Sequence, residues 1–88
     1  MTLNKPIKTP EASALCTHVT ETLTHYFSAL ENEVPSDVYH MVISQVERPM
    51  VEFVLQKTEF NQTRAAEILG INRNTLRKKI QQYNITQS

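Results

Sequence analysis

The stretch NQTRAAEILGINRNTLRKKI, residues 61–80, contains five of the nine Lys and Arg residues of this 88-residue chain and its only glycine. Asn61 is a good N-cap for a first short helix, and Gly70 follows that helix where a chain often turns left-handed. Asn72 then caps a second helix. The inner face of that helix carries Leu76, Ile80 and Tyr83. Small Ala66 lets the two helices approach closely at a steep crossing, so the stretch predicts a helix-turn-helix.

The outer face of the second helix is basic. Its cationic residues are Arg73, Arg77, Lys78 and Lys79. In a helix-turn-helix the second helix enters the DNA major groove and its N-terminal residues meet base edges. Asn72, Arg73 and Asn74 stand at that N-terminal end, where an Arg can bind guanine and an Asn amide can bind adenine. Asn61, Thr63 and Arg64, at the positive end of the first helix, are candidate phosphate contacts.

The net charge of zero hides an asymmetry along the chain. Residues 1–60 carry four Lys or Arg against eight acids, a net −4, whereas residues 61–88 carry five against one, a net +4. Screening beyond ~8 Å keeps the acidic part from cancelling the basic part. A basic helix face taken alone is usually a solvent-exposed surface that binds no nucleic acid. Charge, caps, glycine and small alanine fall here at the spacings of one motif, which favours DNA binding.

Two longer helices are predicted before the basic stretch. The apolar residues of the first recur at spacings of three and four: Ala12, Leu15, Cys16, Val19, Leu23, Tyr26, Phe27 and Leu30. Ser36 or Asp37 can cap the second helix. Its apolar face comprises Tyr39, Val42, Ile43, Val46, Met50, Phe53 and Val54. Pro49 interrupts this series, but the face continues in phase, so we expect a kink rather than two helices.

These elements predict an all-α fold, in which two long antiparallel helices form an intertwined homodimer core and a C-terminal helix-turn-helix follows. A chain of this size buries little surface alone, and a second copy would complete a four-helix core. The alternative is that the apolar stripes pack only against the C-terminal helices of the same chain. We expect a mobile arm over residues 1–11, a dimerisation core over 12–58 and the helix-turn-helix over 59–88, within one compact domain.

The sequence gives little indication of a catalytic site, a metal site or a membrane-spanning segment. Cys16 is the only cysteine, so neither an intrachain disulfide nor a Cys-based zinc site can form. His18, His25 and His40 lack a third ligand at metal-site spacing. Ser44 has no arrangement of a nucleophile and its base. Neither a membrane helix nor a signal peptide is recognisable. We expect a cytoplasmic protein that is not an enzyme and uses no metal or cofactor.

The basic stretch resembles the C-terminal helix-turn-helix of the Fis family, the bacterial nucleoid-associated factors for inversion stimulation. HYFSALENEVPSDVYHMVISQVERPMVEFVL, residues 25–55, resembles the family's dimerisation core, including the proline in the second helix. The resemblance implies a homodimer whose recognition helices lie too close together for straight DNA and therefore bend it. It implies transcription regulation and nucleoid organisation at degenerate sites with AT-rich centres, and it makes RNA polymerase a candidate partner.

The resemblance also assigns roles to individual residues. Base reading falls to Asn72 and Arg73, with Thr75 and Lys78 close to the groove. The phosphate contacts it implies are Asn61, Thr63, Arg64, Arg77 and Lys79.

The chain departs from the family pattern at several positions. Asn74 stands where the best-known members have glycine, and Gln81 and Gln82 stand where they have lysine. The two missing lysines should weaken the electrostatic part of DNA binding. The family's N-terminal β-hairpin arm has no counterpart in MTLNKPIKTPE, so recombinase stimulation is not expected.

Two other functions stay open on the sequence. The same signature occurs in the DNA-binding output domains of NtrC-type activators, although Met1 and the fit of the whole length favour a stand-alone protein. The second alternative, from another class, is a helical protein-interaction module whose basic region binds an acidic partner protein.

Overall fold

The structure, a computed structural model, describes residues 10–87, with side chains from Ala14 onward. This part of the chain contains four α-helices and no strand: α1 (Pro10–Leu30), α2 (Val38–Lys57), α3 (Gln62–Leu69) and α4 (Arg73–Gln82). The predicted all-α fold class is confirmed. The chain divides after Val38 into an N-terminal unit that contains α1 and a C-terminal unit that contains α2 to α4.

The first helix begins two residues earlier than predicted. The expected mobile arm covers residues 1–11, of which residues 1–9 lie outside the described part of the chain. Pro10 and Glu11 are helical. Proline is favoured at the first helical position because its fixed φ suits a helix and its missing N–H has no partner there anyway. The helix therefore includes two residues that the sequence assigned to the arm, and the division into arm, dimerisation core and helix-turn-helix stays a prediction.

Helix α1 presents its apolar residues without burying them. Among the described side chains of the N-terminal unit, residues 14–38, none is buried. Leu15 and Phe27 are 54% and 50% exposed. The rings of Tyr26 and Phe27 meet edge to face with centroids 5.8 Å apart. The predicted apolar stripe is thus present, and its largest side chains remain in contact with solvent.

Helix α2 runs without interruption through Pro49, which excludes two separate helices; the kink stays a prediction. The turn that follows α2 has an unusual backbone. Glu59 and Phe60 have φ values of 54° and 62°, in the left-handed region that residues other than glycine rarely adopt. The Phe60 N–H donates to the Leu55 carbonyl oxygen at 2.7 Å, which closes the turn.

The C-terminal unit has its own hydrophobic core. The buried residues of the described chain all belong to it: Val51, Leu55, Ala65, Ala66, Leu76, Tyr83 and Ile85. Around them pack the partly buried residues Val54, Phe60, Leu69, Ile71 and Ile80.

The apolar face predicted for α2 needs correction. Val51 and Leu55, which the prediction left out, are 2% and 0% exposed, whereas Met50 and Phe53 are 45% and 59% exposed. The reason is that α2 has two apolar faces, and a single periodic stripe cannot tell which of them meets α3 and α4. The alternative in which the stripes pack only within the chain accounts for the first face and leaves the second uncovered.

Candidate nucleic-acid interface

Helix α3 is defined at both ends by local hydrogen bonds. At its start the Asn61 Oδ1 accepts the backbone N–H of Arg64 at 3.1 Å. At its end Gly70 has φ 76°, and its N–H donates to the carbonyl oxygens of Ala66 and Glu67 at 2.9 and 3.2 Å. A Cβ on Gly70 would meet nothing within 4 Å, so the position favours glycine because of its backbone conformation rather than for lack of space. The predicted cap and turn are confirmed.

Helix α4 begins at a second asparagine cap, as predicted. The Asn72 Oδ1 accepts the backbone N–H of Asn74 at 2.7 Å. This contact bears on the role predicted for Asn72, because reading adenine with both amide atoms requires the oxygen as well as the nitrogen. With its oxygen engaged in the cap, Asn72 retains the two hydrogens of Nδ2, which suit a donor contact to a base or a phosphate.

The two helices approach each other through small side chains. Ala65 and Ala66 on α3 are 0% and 4% exposed, and Leu76 on α4 is 0% exposed. Alanine leaves room for a neighbouring helix, so the buried face of α3 can lie close to α4. Most other side chains of the two helices are exposed, while Leu69, Lys79 and Ile80 are partly buried.

Eight of the nine predicted site residues are exposed. They are Asn61, Thr63, Arg64, Asn72, Arg73, Thr75, Arg77 and Lys78. Within residues 14–87 the structure shows no ion pair for the four cations of this group, Arg64, Arg73, Arg77 and Lys78. Their charge is therefore available to an anionic partner.

Lys79, the ninth site residue, has a different environment. Its Nζ lies 3.0 Å from the Glu47 Oε2 of α2, and its side chain is only 29% exposed. The Tyr83 hydroxyl donates to the other oxygen of the same carboxylate, Oε1, at 2.5 Å. Glu47 thus binds two side chains of the α4 region at once. The predicted phosphate contact by Lys79 has to compete with this ion pair.

The hydrogen bond between Tyr83 and Glu47 shifts the pKa of both groups. It lowers the pKa of Glu47, mainly because the phenol stabilises the carboxylate; partial burial opposes this shift and Lys79 reinforces it. The same bond raises the pKa of Tyr83, since the phenol loses a favourable contact when it ionises. Both groups keep their usual ionisation at neutral pH, with the carboxylate charged and the phenol neutral.

Arg48, the neighbour of Glu47 on α2, adds a second contact to this region. Its Nη2 donates to the backbone carbonyl oxygen of Tyr83 at 2.5 Å, and its guanidinium lies 5.8 Å from the centroid of the Tyr83 ring. Its Nη1 lies 3.5 Å from the Glu52 Oε2 within α2. Sequence reasoning did not identify Glu47 and Arg48. More than 30 residues separate them from their partners on and after α4, and local patterns carry no signal at that range.

Comparison with known proteins places these features in a family. A family model described as "Bacterial regulatory protein, Fis family" matches residues 42–83, which include most of α2 and all of α3 and α4. The chain is 46% identical over 77 residues to a Fis-like DNA-binding protein of Pseudomonas aeruginosa, covering 88% of this chain and 74% of that protein. The chain belongs to the Fis family.

Two further Fis relatives extend the match. The DNA-binding protein Fis of Mannheimia haemolytica is 43% identical over 83 residues, which is 94% of this chain and 76% of the relative. The DNA-binding protein Fis of Actinobacillus succinogenes is 48% identical over 68 residues, or 77% and 69% of the two chains. The Fis similarity therefore extends well beyond the helix-turn-helix.

Two kinds of feature are absent from the described residues of this Fis-family chain. Among the described residues there is no group of three or more His, Cys, Asp and Glu side chains placed to hold a metal ion. In the same part of the chain, no helix combines the length and apolar character needed to span a bilayer.

Proposed function

We propose that this Fis-family chain binds double-stranded DNA as a homodimer, with α4 in the major groove, and bends it. The observation that carries the proposal is the capped helix-turn-helix, whose exposed cations Arg64, Arg73, Arg77 and Lys78 pair with no acid within residues 14–87. The named relatives support it because they are DNA-binding proteins. The role that follows is a sequence-tolerant transcriptional regulator and nucleoid-associated protein in the bacterial cytoplasm.

Arg73 is the main base reader in this proposal. It is the first residue of α4, where a recognition helix meets base edges, and its guanidinium can bind the O6 and N7 of guanine. Asn72 contributes a donor contact through Nδ2, and Thr75 and Lys78 lie near the groove. Phosphate contacts fall to Asn61, Thr63, Arg64 and Arg77, while Lys79 is limited by its ion pair with Glu47.

The homodimer is supported by the apolar side chains that the single chain leaves exposed. On the two long helices these are Leu15, Phe27, Tyr39, Met50 and Phe53. A second copy that covers them would remove from water the surface that an 88-residue chain cannot bury alone. The Fis match over up to 94% of the chain also favours a Fis-type dimer over the detached output domain of an NtrC-type activator.

Bending and the preference for an AT-rich centre follow from the dimer. Each of the two recognition helices contacts one guanine. The DNA between the two half-sites is recognised indirectly, through the energy needed to bend it and the width of its minor groove. Specificity is modest for that reason. RNA polymerase is a candidate protein partner of the bound dimer.

Fluorescence anisotropy with an AT-centred 30-bp duplex at 50 and 200 mM salt tests DNA binding. If Arg64 and Arg77 meet phosphates in each subunit, and Lys78 at the edge of the groove meets a third, log K falls with log salt with a slope of about −5. Arg73→Ala should cost ~1–3 kcal/mol and relax the half-site preference, whereas Arg77→Ala should weaken binding to all sequences alike. Lys57→Ala removes the same charge from the end of α2 and serves as the matched control.

A slope shallower than about −2, or no binding at either salt, contradicts the proposal. Absence of binding would instead favour a protein-interaction module with an acidic partner. Energy transfer between dyes at the two ends of the duplex tests bending, since a straight bound duplex leaves the transfer unchanged.

A further inference from the structure

Two neighbouring residues of α2 bind the α4 region from one side. Glu47 binds the Lys79 ammonium at 3.0 Å and accepts the Tyr83 hydroxyl hydrogen bond. Arg48 donates to the Tyr83 backbone carbonyl oxygen and lies beside its ring. We name these four residues, Glu47, Arg48, Lys79 and Tyr83, the α2–α4 clamp.

The contacts of the clamp differ from ordinary surface ion pairs. The side chains of Lys79 and Glu47 are 29% and 21% exposed, and Tyr83 is 7% exposed. Each oxygen of the Glu47 carboxylate has its own donor, and hydrogen bonds to a charged acceptor are stronger than neutral ones. Arg48 brings a positive charge to a carbonyl oxygen just after the last turn of α4, where the helix dipole favours a cation. The clamp therefore restricts both the rotation of α4 and the position of its C-terminal end.

The clamp also changes the charge that α4 offers to DNA. Arg73, Arg77 and Lys78 are exposed and show no ion pair within residues 14–87, but Lys79 is neutralised by Glu47. A lysine that leaves a half-buried carboxylate for a phosphate must give up one ion pair to form another. It contributes little to the release of counterions from DNA for that reason.

We propose that Glu47 is a positioning residue of the recognition helix: with Arg48 it fixes the orientation of α4 on α2 and withholds Lys79 from DNA. This inference rests on the proposed DNA binding and deepens it. Its physical consequence is that two adjacent lysines have different roles, since Lys78 can bind DNA whereas Lys79 stabilises the packing of α4 on α2. A further consequence is that the separation of the two recognition helices in a dimer depends on a contact between side chains of one chain.

The salt dependence of DNA binding tests the role of Lys79. The measurement compares wild type, Lys79→Gln, Glu47→Gln and the double variant on the same duplex by anisotropy. Lys79→Gln alone should leave the salt slope unchanged. Glu47→Gln frees two lysines per dimer, so the slope should steepen by about 2, and the double variant should return to the wild-type slope. Glu33→Gln removes the same charge from the loop before α2 and is the control.

A second measurement tests whether the clamp positions α4, because loss of a charge alone would not change the preferred spacing of the half-sites. Affinity is measured on duplexes whose two half-sites are moved apart one base pair at a time. Tyr83→Phe deletes only the oxygen that binds Glu47, and it should reduce the preference for the best spacing about five- to tenfold. Thr86→Val replaces the hydroxyl of an exposed side chain that follows α4 and lies outside the proposed dimer and DNA surfaces, so it should leave the preference unchanged.

The outcomes separate the clamp from the proposed function. If the wild type binds with a steep slope but Lys79→Gln alone flattens it by about 2, Lys79 contacts phosphate and the clamp inference fails. It fails equally if Glu47→Gln leaves the slope and the spacing preference unchanged. If the wild type itself does not bind DNA, the proposed function fails and the clamp inference falls with it. Circular dichroism of each variant checks folding, and Lys79→Gln and Tyr83→Phe carry the test if Glu47→Gln does not fold.

Discussion

The C-terminal unit and α1 differ in how far they bury their apolar side chains. Seven residues from Val51 to Ile85 are buried, and all of them lie in the C-terminal unit. The described side chains of the N-terminal unit include none that is buried, although α1 is the longest helix of the described chain. The C-terminal unit therefore has a buried core of its own, whereas none of the described α1 side chains is buried.

This difference follows from the sequence of each region. The helix-turn-helix combines short helices, two asparagine caps and small alanines, so it closes on itself and on one face of α2. Helix α1 carries single apolar residues along its length, and none of its described side chains is buried. If the proposed homodimer covers the apolar stripe of α1, the two regions should respond differently to mutation and to dilution.

The largest effect is expected from Leu55→Ala. Leu55 is fully buried where α2 meets the helix-turn-helix, and truncation of such a leucine costs about 2–5 kcal/mol. Urea unfolding followed by circular dichroism measures the loss. Ile68→Ala, at a side chain that is 58% exposed in the same unit, should change stability by less than about 0.5 kcal/mol. Equal losses for the two variants would mean that the buried core is not where the structure places it.

Phe27→Ala tests the other side of the comparison. If the exposed Phe27 of α1 is covered by a second chain, its truncation should weaken association by about 2 kcal/mol, roughly thirtyfold in the dissociation constant. Sedimentation equilibrium over a range of concentrations measures this constant. An unchanged constant would show that α1 contributes no such anchor, and a wild type that stays monomeric would remove the homodimer from the proposal.

A smaller effect is expected from Asn61→Ala, which removes the cap of α3. The Asn61 side chain satisfies the Arg64 N–H, and loss of such a cap costs about 1 kcal/mol. The loss should appear in thermal unfolding of the C-terminal unit and leave the dissociation constant of the dimer unchanged. A change in association alone would show that Asn61 acts between chains rather than at the helix end.

The smallest effect concerns pH. The pKa of Glu47 lies below its ordinary value of 4.5 because Tyr83 and then Lys79 stabilise the carboxylate. The stability this provides is complete above pH 4.5 and is lost as the pH falls through the lowered pKa. The Glu47 and Lys79 side chains are partly exposed, so solvent screens their interaction and the effect on stability is small. Unfolding measured from pH 6 downward should show a shallower acid loss for Glu47→Gln than for wild type, and parallel curves would contradict it.

Local signals were sufficient to predict the helix-turn-helix. Asn61, Gly70 and Asn72 determine the caps and the turn through hydrogen bonds to residues at most four positions away, so their roles can be recognised in a short stretch. The continuity of α2 through Pro49 was predicted for a similar reason, because the apolar period stays in phase across it.

Long-range features could not be predicted in the same way. Val51 and Leu55 were missed because the period of α2 does not show which of its two apolar faces meets α3 and α4. The environment of Lys79 was missed because its partner, Glu47, lies 32 positions earlier and belongs to another helix. The Asn72 cap was predicted, but not that its oxygen, one of the two amide atoms needed to read adenine, accepts the Asn74 N–H.

The turn at Glu59 and Phe60 has a consequence for which substitutions the chain tolerates. Both residues have left-handed backbones, and Phe60 is held there by its N–H bond to Leu55 and by contact with the core. A library that varies these two positions should therefore accept glycine and asparagine and reject valine, isoleucine and threonine, whose branched Cβ suits this conformation least. The left-handed backbone therefore decides which residues are tolerated in this turn, even at Glu59, whose side chain is exposed.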